Sequence, residues 1–319
     1  MKKMDLLGKI RRTIRCKKRN WYSKLWKKLS PDMFYKHPKL VTSLWYASNC
    51  GSLPNLKNPT NFNELLMSIN LAAYNDKKQR ELRIVCADKY AVREYVKEHG
   101  YGYILNECYG VYDSFDEIDF DKLPNEFVLK VTNGSGQNYI CHDKSKIDKN
   151  ALKMQFEQWM AANVNFGLTT AEWHYSMIKP RIIAEKLLDM PSGFLSLTDY
   201  KFHCINGKPY GILVCYDRDK KRGSLSKDHY NLDWGREDCI KSIFRKNRRD
   251  IVRPYNFGEM KTIAEKLSAD FEYVRVDFYE NEGKLYFGEM TFTPAGNYMG
   301  SYLDDKLYDM LNFYKKTKL

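Results

Sequence analysis

The chain has 319 residues, 43% hydrophobic and 14% aromatic, which excludes a disordered composition and allows two or three packed domains. Lys and Arg number 53 against 40 Asp and Glu, but twelve of those bases and one acid fall in residues 1–30, a net +11. The rest carries only +2, which argues against nucleic acid as a partner, because a binding face needs bases organised on the folded surface.

Within residues 1–30, Leu7, Ile10, Ile14, Trp21, Leu25 and Leu29 recur at helical spacing among Lys and Arg, with a second tryptophan at Trp26. A cationic helix with a Trp-bearing stripe suits an anionic membrane surface. It equally suits docking on its own body or on a partner. No apolar leader region and no run of eighteen apolar residues occurs. The eight cysteines form no CxxC pair and the six histidines are dispersed, so neither a disulfide framework nor a zinc cluster is indicated. The expectation is a cytoplasmic protein, peripheral on the inner membrane face through its tail.

Ser30-Pro31 marks the first boundary. Residues 31–110 read as mostly helical. Asn61 or Asn63 offers a cap for the apolar run after it, and Ala87, Ala91, Val92, Tyr95 and Val96 share one face of a helix stopping at Gly100. From about residue 110 strands appear. "FVLKVT" alternates, with Phe127, Leu129 and Val131 on one face. A helix follows at 148–162, then a β-branched strand at 181–188. Asn206-Gly207 predicts a hairpin turn, and a second hairpin turns near Glu282-Gly283. Between the hairpins, 217–254 holds twelve bases and seven acids and reads as an exposed loop beside the site. Lys220, Lys221, Arg222, Arg245, Lys246, Arg248 and Arg249 there suit an anionic acceptor, or simply solvent.

In the last hairpin Val274, Val276 and Phe278 point one way and Tyr273, Arg275, Asp277 and Tyr279 the other. On the return strand Leu285, Phe287, Glu289 and Thr291 are expected to share a face, bringing Glu289 to Asp277. Paired carboxylates repel unless a cation separates them, and hard oxygen donors suit Mg²⁺. A solvated face with Arg275 neutralising Asp277 is the competing reading. Lys130 ends an apolar strand before Gly134 and Gly136, whose freedom at positive φ allows an anion cradle or an ordinary hairpin turn.

Together these features resemble the ATP-grasp superfamily. Asp88-Lys89 starts a helix, Lys130 precedes the Gly-rich loop, "AEKLL" forms a hinge, and "RVDFYENEGKLYFGEMTFTP" closes the set. Within the superfamily, "ADKYAVREYV", "GVYDSFDEIDFDKLPNEFVLK", "EWHYSMIKPRIIAEK", "DYKFHCINGKP", "YNLDW" and "GEMTFTP" resemble the TupA-like branch, associated with teichuronopeptide and other bacterial surface polysaccharides. The resemblance implies an α+β fold, two α+β subdomains sandwiching ATP behind a mostly helical N-terminal region. The expected organisation is a basic tail 1–30, a helical region 31–110, a nucleotide-binding subdomain 111–190 and a metal-bearing C-terminal subdomain 191–319.

The resemblance also implies roles. Lys89 and Lys130 bind ATP phosphates under the loop Asn133, Gly134, Ser135 and Gly136. Glu185 and the backbone of Lys186 and Leu188 read adenine. Asp277, Glu289 and Thr291 hold Mg²⁺, Arg275 stabilises transferred charge, and Asp199 and Lys201 line the acceptor side. Thr291 stands where many relatives have Asn, and Asn133 where the branch often has His. No acid occupies the usual ribose position, and Asp189 is the nearest candidate. The implied reaction is an ATP-dependent carboxylate–amine ligation, with an anionic uronic-acid-type saccharide as acceptor and an amine donor. A sugar-hydroxyl kinase on the same fold, with Asp199 as base, is the alternative. A basic nucleic-acid-binding protein is a more distant one.

Overall fold

The computed structural model describes residues 6–219, 222–245 and 248–318. The side chains of Leu7 and Ile10, and the bases Lys220, Lys221 and Lys246, lie outside the described residues. Six helices come first: α1 (Leu6–Trp26), α2 (Met33–Lys36), α3 (Pro38–Cys50), α4 (Phe62–Asn75), α5 (Lys77–Ala87) and α6 (Val92–Glu98). Asn61 is the cap of α4. Its side chain accepts from the Glu64 amide at 3.1 Å, and the Glu64 carboxylate accepts from the Thr60 amide at 2.7 Å. The single helix expected through Ala87–Val96 is broken. Asp88 is extended (φ −73°, ψ 120°) and its Oδ1 accepts from the amides of Tyr90 and Ala91, starting α6 afresh.

The basic helix α1 lies along α3. Trp26 packs 4.9 Å from Trp45 and donates to the Thr169 carbonyl at 2.6 Å, and Arg15 donates to the Cys50 carbonyl at 2.8 Å. Ile14 and Trp21 stay exposed, at 49% and 57%. Docking therefore consumes one side of the helix and leaves another free. No helix of the described residues is long and apolar enough to cross a membrane.

Two antiparallel sheets follow. The first runs β1-β4-β2-β3, from β1 (Cys108–Tyr112), β2 (Phe127–Val131), β3 (Asn138–Cys141) and β4 (Ile182–Glu185). Phe127, Leu129 and Val131 face Leu152 and Phe156 of α7 (Lys149–Thr169) in one core, as the alternation predicts. After α7 comes the short α8 (Trp173–Met177).

The second sheet runs β10-β9-β5-β6-β7-β8. Its strands are β5 (Asp199–Ile205), β6 (Lys208–Asp219), β7 (Ser224–Tyr230), β8 (Arg236–Glu237), β9 (Tyr273–Asn281) and β10 (Lys284–Thr291). On one face Phe202, Val214, Val276 and Phe278 pack against Met260, Ile263 and Leu267 of α9 (Phe257–Ser268). A fully buried phenyl such as Phe202 stabilises by about 1.5–3 kcal/mol. The other face changes character along its strands. Ile205, Leu213 and Tyr273 are covered by α4 and by α10 (Asp304–Thr317). Farther along, the same face carries Asp199, Lys201, Arg275 and Asp277.

Two expectations fail here. Residues 217–254 are not simply an exposed loop, because β7 adds to the sheet and Ser226, Asp228, His229 and Tyr230 are buried. Its bases are engaged locally: Arg248 with Asp228 and Asp238, Arg249 with Asp217, Arg245 with Asp238. Leu285 and Phe287 do not share a face with Glu289 and Thr291. The register slips between Phe287 and Glu289, so Leu285 and Phe287 join the apolar core while Glu289 and Thr291 stay opposite Asp277 and Arg275.

Candidate functional site

The β9–β10 hairpin turns through Glu282 (φ 52°) and Gly283 (φ 74°), the left-handed pair that matches strand twist. Asp277 lies opposite Glu289 on one side and opposite Lys201 of β5 on the other. Arg275 donates to both Asp277 oxygens, at 2.7 and 2.6 Å, and at 3.0 Å to both Glu289 Oε1 and Thr291 Oγ1. Lys201 Nζ is 2.5 Å from Asp277 Oδ2 and 3.4 Å from Asp199 Oδ1. Arg218 reaches the other Asp199 oxygen at 3.3 Å.

The electrostatics divide the carboxylates. Burial pushes the fully buried Asp277 above its usual value, against the pull of Arg275 and Lys201. Burial also opposes charge on Glu289, but Lys201, Arg275 and Lys89 outweigh it and hold Glu289 at about 2. Burial opposes the Lys201 ammonium too, and Asp277 and Asp199 more than compensate. Glu289 is therefore ionised, and its second oxygen receives no hydrogen bond among the described residues. Beside it stands the Thr291 hydroxyl. This donor set fits a hard divalent cation such as Mg²⁺, with Glu289 as the available ligand. Asp277 fits less directly, since a cation there displaces one of its N–H donors.

The Gly-rich loop closes the β2–β3 hairpin, with the Val131 amide on the Gln137 carbonyl at 3.2 Å. Only Gly136 uses positive φ (72°). At Gly134 a Cβ would instead run into the side-chain amides of Gln137 and Asn163. Asn163 of α7 donates to Asn133 and Gln137, locking the loop to the helix. Asn133 is fully buried and its Nδ2 finds no partner, whereas Ser135 and Gly136 are exposed. Lys89 reaches the loop through its side chain on the Gly134 carbonyl and its amide on Thr132. Burial depresses its ammonium, and Glu289 and Lys130 are near enough to act on it. The loop and the carboxylate pair thus belong to one electrostatic neighbourhood.

Lys130 Nζ is 2.6 Å from Glu185 Oε2, and Arg93 Nη1 is 3.2 Å from Oε1. The Lys186 amide is taken by the Glu107 carbonyl, and its own carbonyl accepts from Asn106. Among the described residues none hydrogen-bonds to Leu188. Asp189 is exposed and lines a cavity of about 370 Å³ with Pro191, Phe194, Thr198, Tyr200 and Asn281. A second cavity, about 420 Å³, is lined by Arg15, Tyr46, Asn61, Tyr298, Asp304 and Tyr308. Neither includes the carboxylate pair.

Three contributors escape the sequence reading. Arg93 lies four residues after Lys89, in the first turn of α6, and that short spacing is the signal for it. Arg181, immediately before β4, pairs with Asp88 at 2.8 Å. Glu172 accepts from Thr293, just past β10, and from Thr170, both at 3.0 Å, and burial pushes it up to about 7. No local pattern announces Glu172, because its partners come from distant segments.

The TupA-like ATP-grasp family matches residues 68–312 of the chain. No curated protein matches it. Among solved structures it is similar to D-alanine–D-alanine ligase from Bacillus anthracis, at 16% identity and a TM-score of 0.41, over 73% of this chain and 65% of that one. An L-amino acid ligase from Bacillus licheniformis gives 13% and 0.47, over 80% and 55%. The ATP-grasp ligase PsnB, solved with a minimal precursor, Mg and ADP, gives 13% and 0.40, over 80% and 66%. The chain thus spans just under two thirds of the length of the first of these.

Proposed function

The chain belongs to the TupA-like ATP-grasp family, and we propose that it is an ATP- and Mg²⁺-dependent carboxylate–amine ligase. The proposed product is an amide between a sugar acid of a bacterial surface polysaccharide, or its precursor, and an amino acid or amino alcohol. The observation that carries this reading is the convergence of Arg275, Lys201, Asp277 and Glu289 on one sheet face, within electrostatic reach of Lys89 and the Gly-rich loop.

A carboxylate is a poor electrophile. Attack of its oxygen on the γ-phosphorus releases ADP and leaves an acyl phosphate, which an amine opens with loss of phosphate. Lys89, Lys130 and the amides of Asn133–Gly136 are assigned to the phosphates, Glu185, the remaining lone pair of the Lys186 carbonyl and the Leu188 backbone to adenine, and Asp189 to the ribose side. Bound Mg²⁺ would supply charge neutralisation, with Glu289, Thr291 and Asp277 as its ligands. Arg275 sits where charge on the transferred group or oxyanion is countered. Lys201 and Asp199 line the acceptor side. Asp199 is held by Lys201 and Arg218, which counts against its service as the base of a sugar kinase.

The tail fits a lipid-linked acceptor. With Trp26 and Arg15 spent on docking, Ile14, Trp21 and the neighbouring bases remain for an anionic membrane surface.

The test is ADP release screened over uronic acids crossed with amines, with hydroxylamine to trap acyl phosphate as hydroxamate. Amine-dependent ADP release and hydroxamate support the ligase. ADP release with a stable phosphate ester instead identifies a kinase. Glu289→Gln should abolish turnover with the fold intact.

A further inference from the structure

We propose that His229, Glu237 and Cys239 form a zinc site at the β7–β8 edge of the second sheet, separate from the proposed Mg²⁺ ligands. His229 lies directly opposite Glu237 in the β7–β8 ladder. Two residues on, Cys239 is turned back by its amide on the Glu237 carbonyl at 2.9 Å, and its own carbonyl accepts from the Leu303 amide. One nitrogen, one oxygen and one sulfur atom then lie within 4.8 Å of one another. A mixed set of imidazole, carboxylate and thiolate suits Zn²⁺ rather than Mg²⁺ or Ca²⁺, with water as the fourth ligand.

The independent sign is at His229 itself. The residue is fully buried, yet its Nε2 has no hydrogen-bond partner and points toward Glu237 Oε2 at 3.5 Å. A buried imidazole nitrogen without a partner is costly, and a metal removes that cost. The other nitrogen is already oriented. His229 Nδ1 lies 3.1 Å from the Tyr302 hydroxyl, which lies 3.0 Å from His203 Nε2, and His203 Nδ1 lies 2.8 Å from the Tyr273 hydroxyl. When Nδ1 donates into this chain, Nε2 presents a lone pair, as in a metal-bound histidine whose other nitrogen is held by a hydrogen bond. His203 pairs with Arg275 across β5–β9, so the chain ties the edge site to the catalytic face. The ion would fix β8 and the Tyr302 segment to that face.

One feature opposes cation binding. Lys306 Nζ is 2.5 Å from Glu237 Oε2 and 4.5 Å above the Tyr210 ring. It holds the same carboxylate oxygen that faces His229 Nε2, so an ion there competes with the ammonium and the charge weakens the site. That gives the proposal a second, inverse test. On ligation the Cys239 thiol passes its proton to solvent.

The experiment strips the full chain with EDTA and titrates Zn²⁺ against a chromophoric chelator, with Co²⁺ as a spectroscopic substitute. One Zn²⁺ per chain is expected, with thiolate-to-cobalt absorption. His229→Asn and Cys239→Ser should each weaken binding at least about tenfold, and Lys306→Gln should tighten it. Glu289→Gln should leave it unchanged. Absence of stoichiometric zinc overturns the site, as does indifference to Cys239→Ser or loss in Glu289→Gln. Because Cys239→Ser is nearly isosteric, misfolding of His229→Asn does not remove the test. The readout is metal binding, so it stands whether or not the ligase reaction is found.

Discussion

Asp277 and Glu289 face each other across β9–β10 because Gly288 is bulged out of the ladder beside them. A Cβ on Gly288 would fall 2.9 Å from the Asp277 carbonyl and 3.0 Å from the Tyr279 ring. Gly288→Ala should therefore displace the backbone that aims both carboxylates. The expected cost is about 1–3 kcal/mol in urea unfolding, with ADP release reduced at least tenfold, on the order of what small misplacement does to catalysis. Turnover equal to the parent would show that the bulge does not set the geometry.

Lys130 and Arg93 share the nearly buried Glu185 carboxylate. Lys130→Met leaves Arg93 as its cation and should destabilise the fold by about 1–3 kcal/mol. Glu185→Gln in the same chain should cost less than the two single changes added together, because the groups share one interaction. Nucleotide supplies the functional half of the test. ATP-Mg should raise the melting temperature of the parent and do so much less for Lys130→Met.

Much of this arrangement is legible in the sequence where one local rule decides. Asn206-Gly207 adopts the left-handed pair its side chains permit, at φ 50° and 71°, and strand alternation puts Lys201, Arg275 and Asp277 on one face. It becomes illegible where one residue changes the phase. Gly288 reverses the facing of Leu285 and Phe287 relative to Glu289, and Asp88 divides a continuous helical pattern. The 217–254 segment misleads for another reason. Its polar residues find partners, as Asp228 does in Arg248 and in Tyr216 just before the segment, so a charged composition is buried in β7, paired on both sides. The docking of α1 depends on Thr169 and Cys50, which nothing local to residues 1–30 encodes.

The two tail tryptophans should separate by function. Trp26→Ala loses the Trp45 contact and the Thr169 hydrogen bond, and should lower stability by about 2–4 kcal/mol. Trp21→Ala, changing an exposed ring, should be nearly silent in unfolding yet reduce sedimentation with anionic liposomes. The chain beginning at Pro31 should lose both properties. Equal liposome binding by the parent and that truncated chain would remove the membrane role and leave α1 as a structural brace.

Two buried groups should give stability opposite dependences on pH. Glu172 is raised from 4.5 to about 7 by burial, so the folded state holds its proton more tightly. Its contribution falls as pH rises from about 4.5 to 7 and is level beyond. His174 is lowered from 6.5 to about 3 by burial and by Arg83, and neither ring nitrogen has a partner. Its neutral form favours the folded state fully above pH 6.5, and that advantage is lost as pH falls toward 3. Glu172→Gln should thus stabilise at pH 8 by as much as about 3 kcal/mol and by almost nothing at pH 4.5. His174→Leu should instead flatten the acid limb, with one proton fewer taken up on unfolding between pH 4 and 6. Urea unfolding across pH 4–8 measures both slopes, and unchanged limbs in both variants would place the titrating groups elsewhere.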